Sequence, residues 1–181
     1  MGYSLKRAFP GRCQAGLART LILAGLAVAA ASLPLLVVLP RATPAPPVTF
    51  TSIQGERIGL AALKGRVAVV NFWATDCAVC VKEMPDLART YERYRGRRLE
   101  LIAVAMRHDP PNYVLQYTET RRLPFKVALD PMGEHARAFG DVRLTPTTFV
   151  IDKRGVIVLR VTGQIDFPKL HSLIDEKLAE S

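Results

Sequence analysis

Apolar and polar positions divide the chain into a continuous block and a series of short periodic segments. Residues Thr20 to Leu39 are apolar almost without interruption and carry no charge, a length that at about 1.5 Å per residue crosses a hydrocarbon core of ~30 Å. Pro40 to Pro47 contains four prolines and is expected to be an extended, semi-rigid spacer. From Val48 the pattern becomes that of an α/β domain. Thr49–Ile53 and Arg57–Leu60, around Gln54-Gly55-Glu56, predict a small hairpin. After the turn at Lys64-Gly65, Val67–Trp73 is apolar on both faces, as a strand buried between two helical layers should be. Val81, Met84, Leu87, Ala88, Tyr91 and Tyr94 then recur at helical spacing and predict a helix from Cys77 to Arg95. Further on, Leu99–Met106, Phe125–Leu129, Thr147–Ile151 and Val156–Val161 read as strands, and Asn112–Arg122, Gly133–Phe139 and Phe167–Leu178 as helices. Strands alternating with helices, closed by a hairpin and a helix, imply a mixed central sheet covered on both faces.

Charge bears on where the domain sits. Lys6, Arg7, Arg12 and Arg19 precede the apolar block and supply four of the chain's +9 formal charges. The rest of the chain keeps a surplus of about +5, which gives solubility and weak attraction to anionic surfaces and assigns no nucleic-acid partner. The same four residues orient the apolar block by the positive-inside rule, with residues 1–19 as a cytoplasmic tail, 20–39 as an anchor, 40–47 as linker and 48–181 as an exported domain. A cleaved signal peptide is the competing reading, because Ala29-Ala30-Ala31 supplies small residues of the cleavage type. The apolarity that continues from Leu33 to Leu39 favours the uncleaved anchor. Both readings place the domain outside the cytoplasm. Cys13 lies on the other side of the block and reads as an incidental thiol.

Cys77-Ala78-Val79-Cys80 carries the candidate chemistry. A C-x-x-C pair serves as a redox dithiol, as half of a zinc site or as a structural bridge. Zinc requires further Cys or His ligands, and His108, His135 and His171 are scattered without ligand spacing. A strand leading directly into a helix that opens on the pair is the setting of a redox motif. Unpaired N–H groups and the positive end of the helix dipole favour a thiolate at the first cysteine. Cys77 is therefore read as the attacking sulfur, and Cys80, one turn deeper, as the one that resolves a mixed disulfide. Asp76 opposes the thiolate, which should make the dithiol a stronger reductant, and it also suits a helix N-cap.

Asn71-Phe72-Trp73-Ala74-Thr75-Asp76-Cys77-Ala78-Val79-Cys80 with Lys82-Glu83-Met84-Pro85 resembles the thioredoxin superfamily, and more closely its membrane-anchored TlpA/ResA branch of extracytoplasmic thiol-disulfide oxidoreductases. Leu123-Pro124-Phe125, Leu129-Asp130 and Thr145-Pro146-Thr147-Thr148-Phe149-Val150-Ile151-Asp152 extend the likeness over the domain from about Val48 onward. The resemblance implies a thioredoxin-like fold and a redox-active Cys77–Cys80 disulfide. It further implies a cis Pro146 facing the dithiol, a substrate surface that includes Trp73, Asp76, Thr145 and Pro146, and a Pro85 that kinks the active-site helix. Glu83 matches a buried acid of the branch, which would exchange a proton with Cys80; Asn71, where cytoplasmic thioredoxins carry an aspartate, cannot titrate. The implied localisation is the bacterial cytoplasmic membrane with the domain facing the periplasm or its equivalent. Neither cofactor nor metal is implied. Implied partners are protein disulfides awaiting haem or copper, apocytochrome c among them, and an integral-membrane thiol transporter as electron donor.

Asp76, where the family usually has Trp, and Val79, where it often has Pro, depart from the pattern at positions that tune potential and substrate surface. Two other activities use similar thiols. A thiol peroxidase needs an activating Thr-x-x-Cys neighbourhood with a nearby proline and arginine, and the segment before Cys77 lacks the proline. A copper-delivery module would bind metal through both thiolates and a histidine.

Overall fold

The computed structural model describes residues 43–180. The apolar block at 20–39, the tail before it with Cys13, and residues 40–42 of the proline-rich stretch lie outside these. No helix among the described residues is long and apolar enough to cross a membrane.

In chain order the elements are β1 (Thr43–Pro44), β2 (Thr49–Thr51), β3 (Arg57–Gly59), a 3-10 turn (Leu60–Leu63), β4 (Val67–Trp73), α1 (Ala78–Tyr94), β5 (Leu99–Ala105), α2 (Pro111–Arg121), β6 (Lys126–Leu129), α3 (Glu134–Ala138), β7 (Thr147–Ile151), β8 (Val156–Thr162) and α4 (Phe167–Ala179). Six strands form one sheet in the order β1-β8-β7-β4-β5-β6, and β2 and β3 form a separate hairpin. The β4-β5 and β5-β6 pairs are parallel, while β7 runs antiparallel to both β4 and β8. This is the mixed sheet the alternation of elements predicts.

The spacer reading needs revision from Thr43 onward. Thr43 and Pro44 pair with Ile157 and Val156, and the Ala45 N–H donates to Gly155 O at 2.8 Å. Proline suits such an edge strand because its missing N–H is not required by an inner neighbour. The chain is thus tied to the sheet several residues before Val48.

Every residue of β4 is buried, and its alternation divides the core. Val67, Val69 and Trp73 meet Cys80, Met84 and Leu87 of α1, Val114 of α2 and Leu170 and Ile174 of α4. Ala68, Val70 and Phe72 meet Phe50 and Ile58 of the hairpin, Ala136 of α3 and Phe139 just after it. A strand with apolar neighbours on both faces cannot shift register by one residue without exchanging its two side-chain sets. The buried stripe of α1 is Cys80, Glu83, Met84, Leu87, Thr90 and Tyr94, rotated from the purely apolar stripe of the sequence. Two polar residues are drawn into it because the tertiary structure gives each a partner: Thr90 Oγ1 lies 2.9 Å from His171 Nε2 of α4, and Glu83 accepts a bond from the Ile165 N–H. The far end of α1 is fastened to α4 by the Tyr94 hydroxyl, which lies 3.1 Å from both His171 O and Asp175 Oδ2.

Candidate active site

The site forms where β4 hands over to α1. β4 ends at Trp73, Thr75 and Asp76 make the turn, and Cys77 occupies the N-cap with extended backbone angles (φ −87°, ψ 102°). Its Sγ accepts the Cys80 N–H at 3.2 Å, so the sulfur itself meets one of the N–H groups that a helix start leaves unpaired. Cys77 and Cys80 are joined in a disulfide with a Cα–Cα separation of 5.2 Å. Cys77 is half-buried, whereas Cys80 is only 2% exposed. An attacking disulfide or thiol therefore reaches Cys77 first.

The cap role proposed for Asp76 falls to Cys77. Asp76 is exposed, and its Oδ1 lies 3.6 Å from His108 Nε2. It precedes the cap, too far back to meet the first N–H groups of the helix.

The loop after β5 clasps the loop before the dithiol. Met106 N–H donates to Trp73 O at 3.0 Å. The buried Asp109 then takes both donors of Thr75, the backbone N–H on Oδ2 at 2.6 Å and the hydroxyl on Oδ1 at 2.5 Å. Sequence reasoning missed Asp109. It stands 34 residues from Thr75, and its one local signal, an acid before Pro110-Pro111, reads as ordinary turn chemistry.

The Thr145–Pro146 peptide bond is cis. Thr147 pairs with Phe72, so one step further along the antiparallel register sets Pro146 level with Trp73, at the end of the sheet that carries the dithiol. Pro146 is buried and Thr145 half-buried, and Pro146 O accepts the Gly163 N–H at 2.8 Å. Trp73 does not reach the surface assigned to it. It is 0% exposed, with its ring centroid 5.3 Å from that of Tyr117, because the alternation of β4 aims it into the helical layer.

Glu83 lies three residues beyond Cys80, one turn along the same helix face. It is buried, with Oε1 accepting the Ile165 N–H at 2.6 Å and Oε2 enclosed without a hydrogen-bond partner among the described residues. Burial pushes its carboxyl above the usual carboxylate range; the Ile165 bond opposes this in part, and the charge of Asp86 adds to it. Asn71 spans from β4 to β7, its Nδ2 donating to Thr148 Oγ1 at 2.9 Å. Pro85 sits within α1, where it removes one intrahelical donor.

Among the described residues no three His, Cys, Asp or Glu side chains are grouped to hold a metal ion. His108 faces Asp76, the His135 ring lies 4.7 Å from that of Phe50, and His171 meets Thr90.

Comparison with known proteins agrees with this geometry. The profile of the AhpC/TSA family matches residues 42–160. The chain belongs to the AhpC/TSA family. Thiol-disulfide oxidoreductase ResA of Bacillus thuringiensis subsp. konkukian is 36% identical over 123 residues, 66% of this chain and 68% of that protein. ResA of Bacillus subtilis is 32% identical over 131 residues, 72% of each. The crystal structure of a thiol:disulfide interchange protein, a thioredoxin family protein from Chlorobium tepidum, superposes with a TM-score of 0.71 at 27% identity, covering 78% of this chain and all (100%) of that one.

This AhpC/TSA family member is a thiol-disulfide oxidoreductase with a thioredoxin-like fold. The disulfide at the opening of α1 gives it an accessible sulfur and a sheltered one on a helix terminus, which is the asymmetry that two-step exchange requires.

Proposed function

We propose that this protein is a membrane-tethered, extracytoplasmic reductase of protein disulfides. The observation that carries the reading is the arrangement of its sulfurs, a half-buried Cys77 capping α1 and bonded to a buried Cys80 that has the buried acid Glu83 one turn away.

In the reduced protein the Cys77 thiolate attacks one sulfur of a substrate disulfide. A bond forms between them, and the other substrate sulfur leaves as a thiolate and takes up a proton. Cys80 gives its proton to the Glu83 carboxylate, and its thiolate attacks Cys77 Sγ. That step closes the Cys77–Cys80 disulfide and expels the second substrate thiolate, which is protonated in turn. The substrate has gained two electrons and the protein has lost two. A membrane dithiol carrier on the same side of the membrane returns them. A carboxylate at Asp76 disfavours the Cys77 thiolate relative to the disulfide and supports reduction as the direction. The basic residues ahead of the apolar block at 20–39 support the extracytoplasmic side. Substrates are extracytoplasmic proteins whose cysteines must be free before haem or copper is inserted, apocytochromes c included.

Equilibration of the Cys77–Cys80 couple with glutathione tests the direction. A potential below about −220 mV, more reducing than the glutathione-buffered range of oxidising compartments, is expected; one near −120 mV would make the protein an oxidant.

A further inference from the structure

The two loops that build the dithiol site continue into a groove with a charge pattern of its own. It has a volume of about 440 Å³ and is lined by Arg107, His108, Met132, Arg137, Asp141 and Arg143, among others. One wall is the loop after β5, which reaches the dithiol through His108 and Asp76 and bonds to Trp73 O through Met106. The other wall, Asp141 to Arg143, leads through Leu144 into Thr145–Pro146. A polypeptide lying against the cis-proline edge with a sulfur at Cys77 can therefore continue into this groove.

Three guanidinium groups line the groove against one carboxylate. Asp141 is engaged by Arg143, with Nε at 2.7 Å from Oδ2. Arg137 is held in place by donating to Met132 O at 2.9 Å and Gly133 O at 3.1 Å, bonds to neutral carbonyls that leave its charge uncompensated. Arg107 forms no ion pair among the described residues, and its stem packs so closely on Gly133 that a Cβ there would come within 3.3 Å of Cδ. Two positive charges thus remain unbalanced in a concave surface, where field lines are focused. Met132 in the lining, 68% exposed, adds apolar surface, so the groove offers contacts for a chain as well as for its charge.

We propose that this groove selects substrates, binding an acidic segment of polypeptide next to the disulfide to be exchanged. The inference rests on the reduction of protein disulfides proposed above and adds the chemistry of the substrate.

The test uses three otherwise identical disulfide peptides whose flanking residues are acidic, neutral or basic, turned over by the protein in its full length at low and high salt. The expected result is a kcat/KM about tenfold higher for the acidic peptide than for the basic one at low ionic strength, shrinking as salt is added. Arg107→Glu combined with Arg137→Glu, which replaces the two uncompensated charges, should abolish or invert that ratio. Because both peptides are measured on the same variant, loss of folding would lower both values without mimicking a changed ratio, and the salt response of the wild type needs no variant. Equal kcat/KM for acidic and basic peptides, or a preference unmoved by salt and by the variant, overturns the proposal. So does an unchanged peptide ratio in a variant that has lost binding to phosphatidylglycerol vesicles, which would assign the groove to lipid headgroups. Absence of exchange with the neutral peptide would instead sink the exchange reading itself.

Discussion

Asp109 holds Thr75 by two hydrogen bonds, one to the backbone N–H and one to the hydroxyl, at 2.6 and 2.5 Å. The bonds join the loop that follows β5 to the two-residue turn that precedes Cys77, so the orientation of the attacking sulfur depends on a carboxylate from another strand's loop.

Asp109→Ala leaves a buried or half-buried N–H and hydroxyl without their acceptor. Bonds to an ionised group are worth ~1.5–3 kcal/mol each, so losing both is expected to cost about 3 kcal/mol or more in urea unfolding of the oxidised protein. Asp109→Asn, which retains one acceptor oxygen, should lose about half as much. Because the tie positions Cys77, the Ala variant should also shift the reduction potential of the couple. Unchanged stability and potential would show that the turn holds itself.

Glu83 makes a pH-dependent contribution whose sign follows from its environment. Burial raises its carboxyl above the ordinary value of 4.5, so between that value and the raised one the folded protein holds a proton that the unfolded chain has released. Stability must fall as pH rises through this window and level off above it. Glu83→Gln cannot titrate and still offers an oxygen to the Ile165 N–H. Its stability relative to wild type should therefore improve across the same window, as followed by denaturant unfolding at a series of pH values; parallel curves would contradict the burial argument. Turnover of a disulfide should slow by about tenfold or more near neutral pH if the carboxylate accepts the Cys80 proton.

The burial of the two sulfurs predicts unequal reactivity. In the reduced protein Cys77 should be alkylated at least about tenfold faster than Cys80, because the thiolate at the helix terminus is both favoured and reachable. Cys80→Ser should accumulate a mixed disulfide with a protein substrate on non-reducing gels, whereas Cys77→Ser should form none. Equal trapping by both variants would contradict the assigned order.

Asp76 is 74% exposed at its side chain and lies beside the nucleophile without capping the helix. Its effect on Cys77 is then a through-space repulsion of the thiolate, weak and screened. Asp76→Asn should make the couple more oxidising by roughly 10–30 mV, where 30 mV corresponds to ~1.4 kcal/mol. The difference should shrink in ~1 M salt, where the Debye length is about 3 Å. A potential that falls on substitution would rule out the repulsion.

Much of the fold and half of the site can be read along the chain. Val67–Trp73 is apolar on both faces and is the buried central strand; the helix opens at the first cysteine, and the C-x-x-C spacing brings both sulfurs to one terminus. These features depend on neighbours within a turn or a strand pair, and hydrophobic period and helix-terminus electrostatics act over that distance. Tertiary structure alone decided the rest. It attached Thr43-Pro44 to β8, turned Trp73 inward, supplied the Ile165 N–H as the partner of Glu83, and brought Asp109 to Thr75 and the arginines of two loops to one groove. Each of these depends on groups far apart in sequence, and a polar residue's burial is settled by whether such a distant partner is present, which no local pattern records.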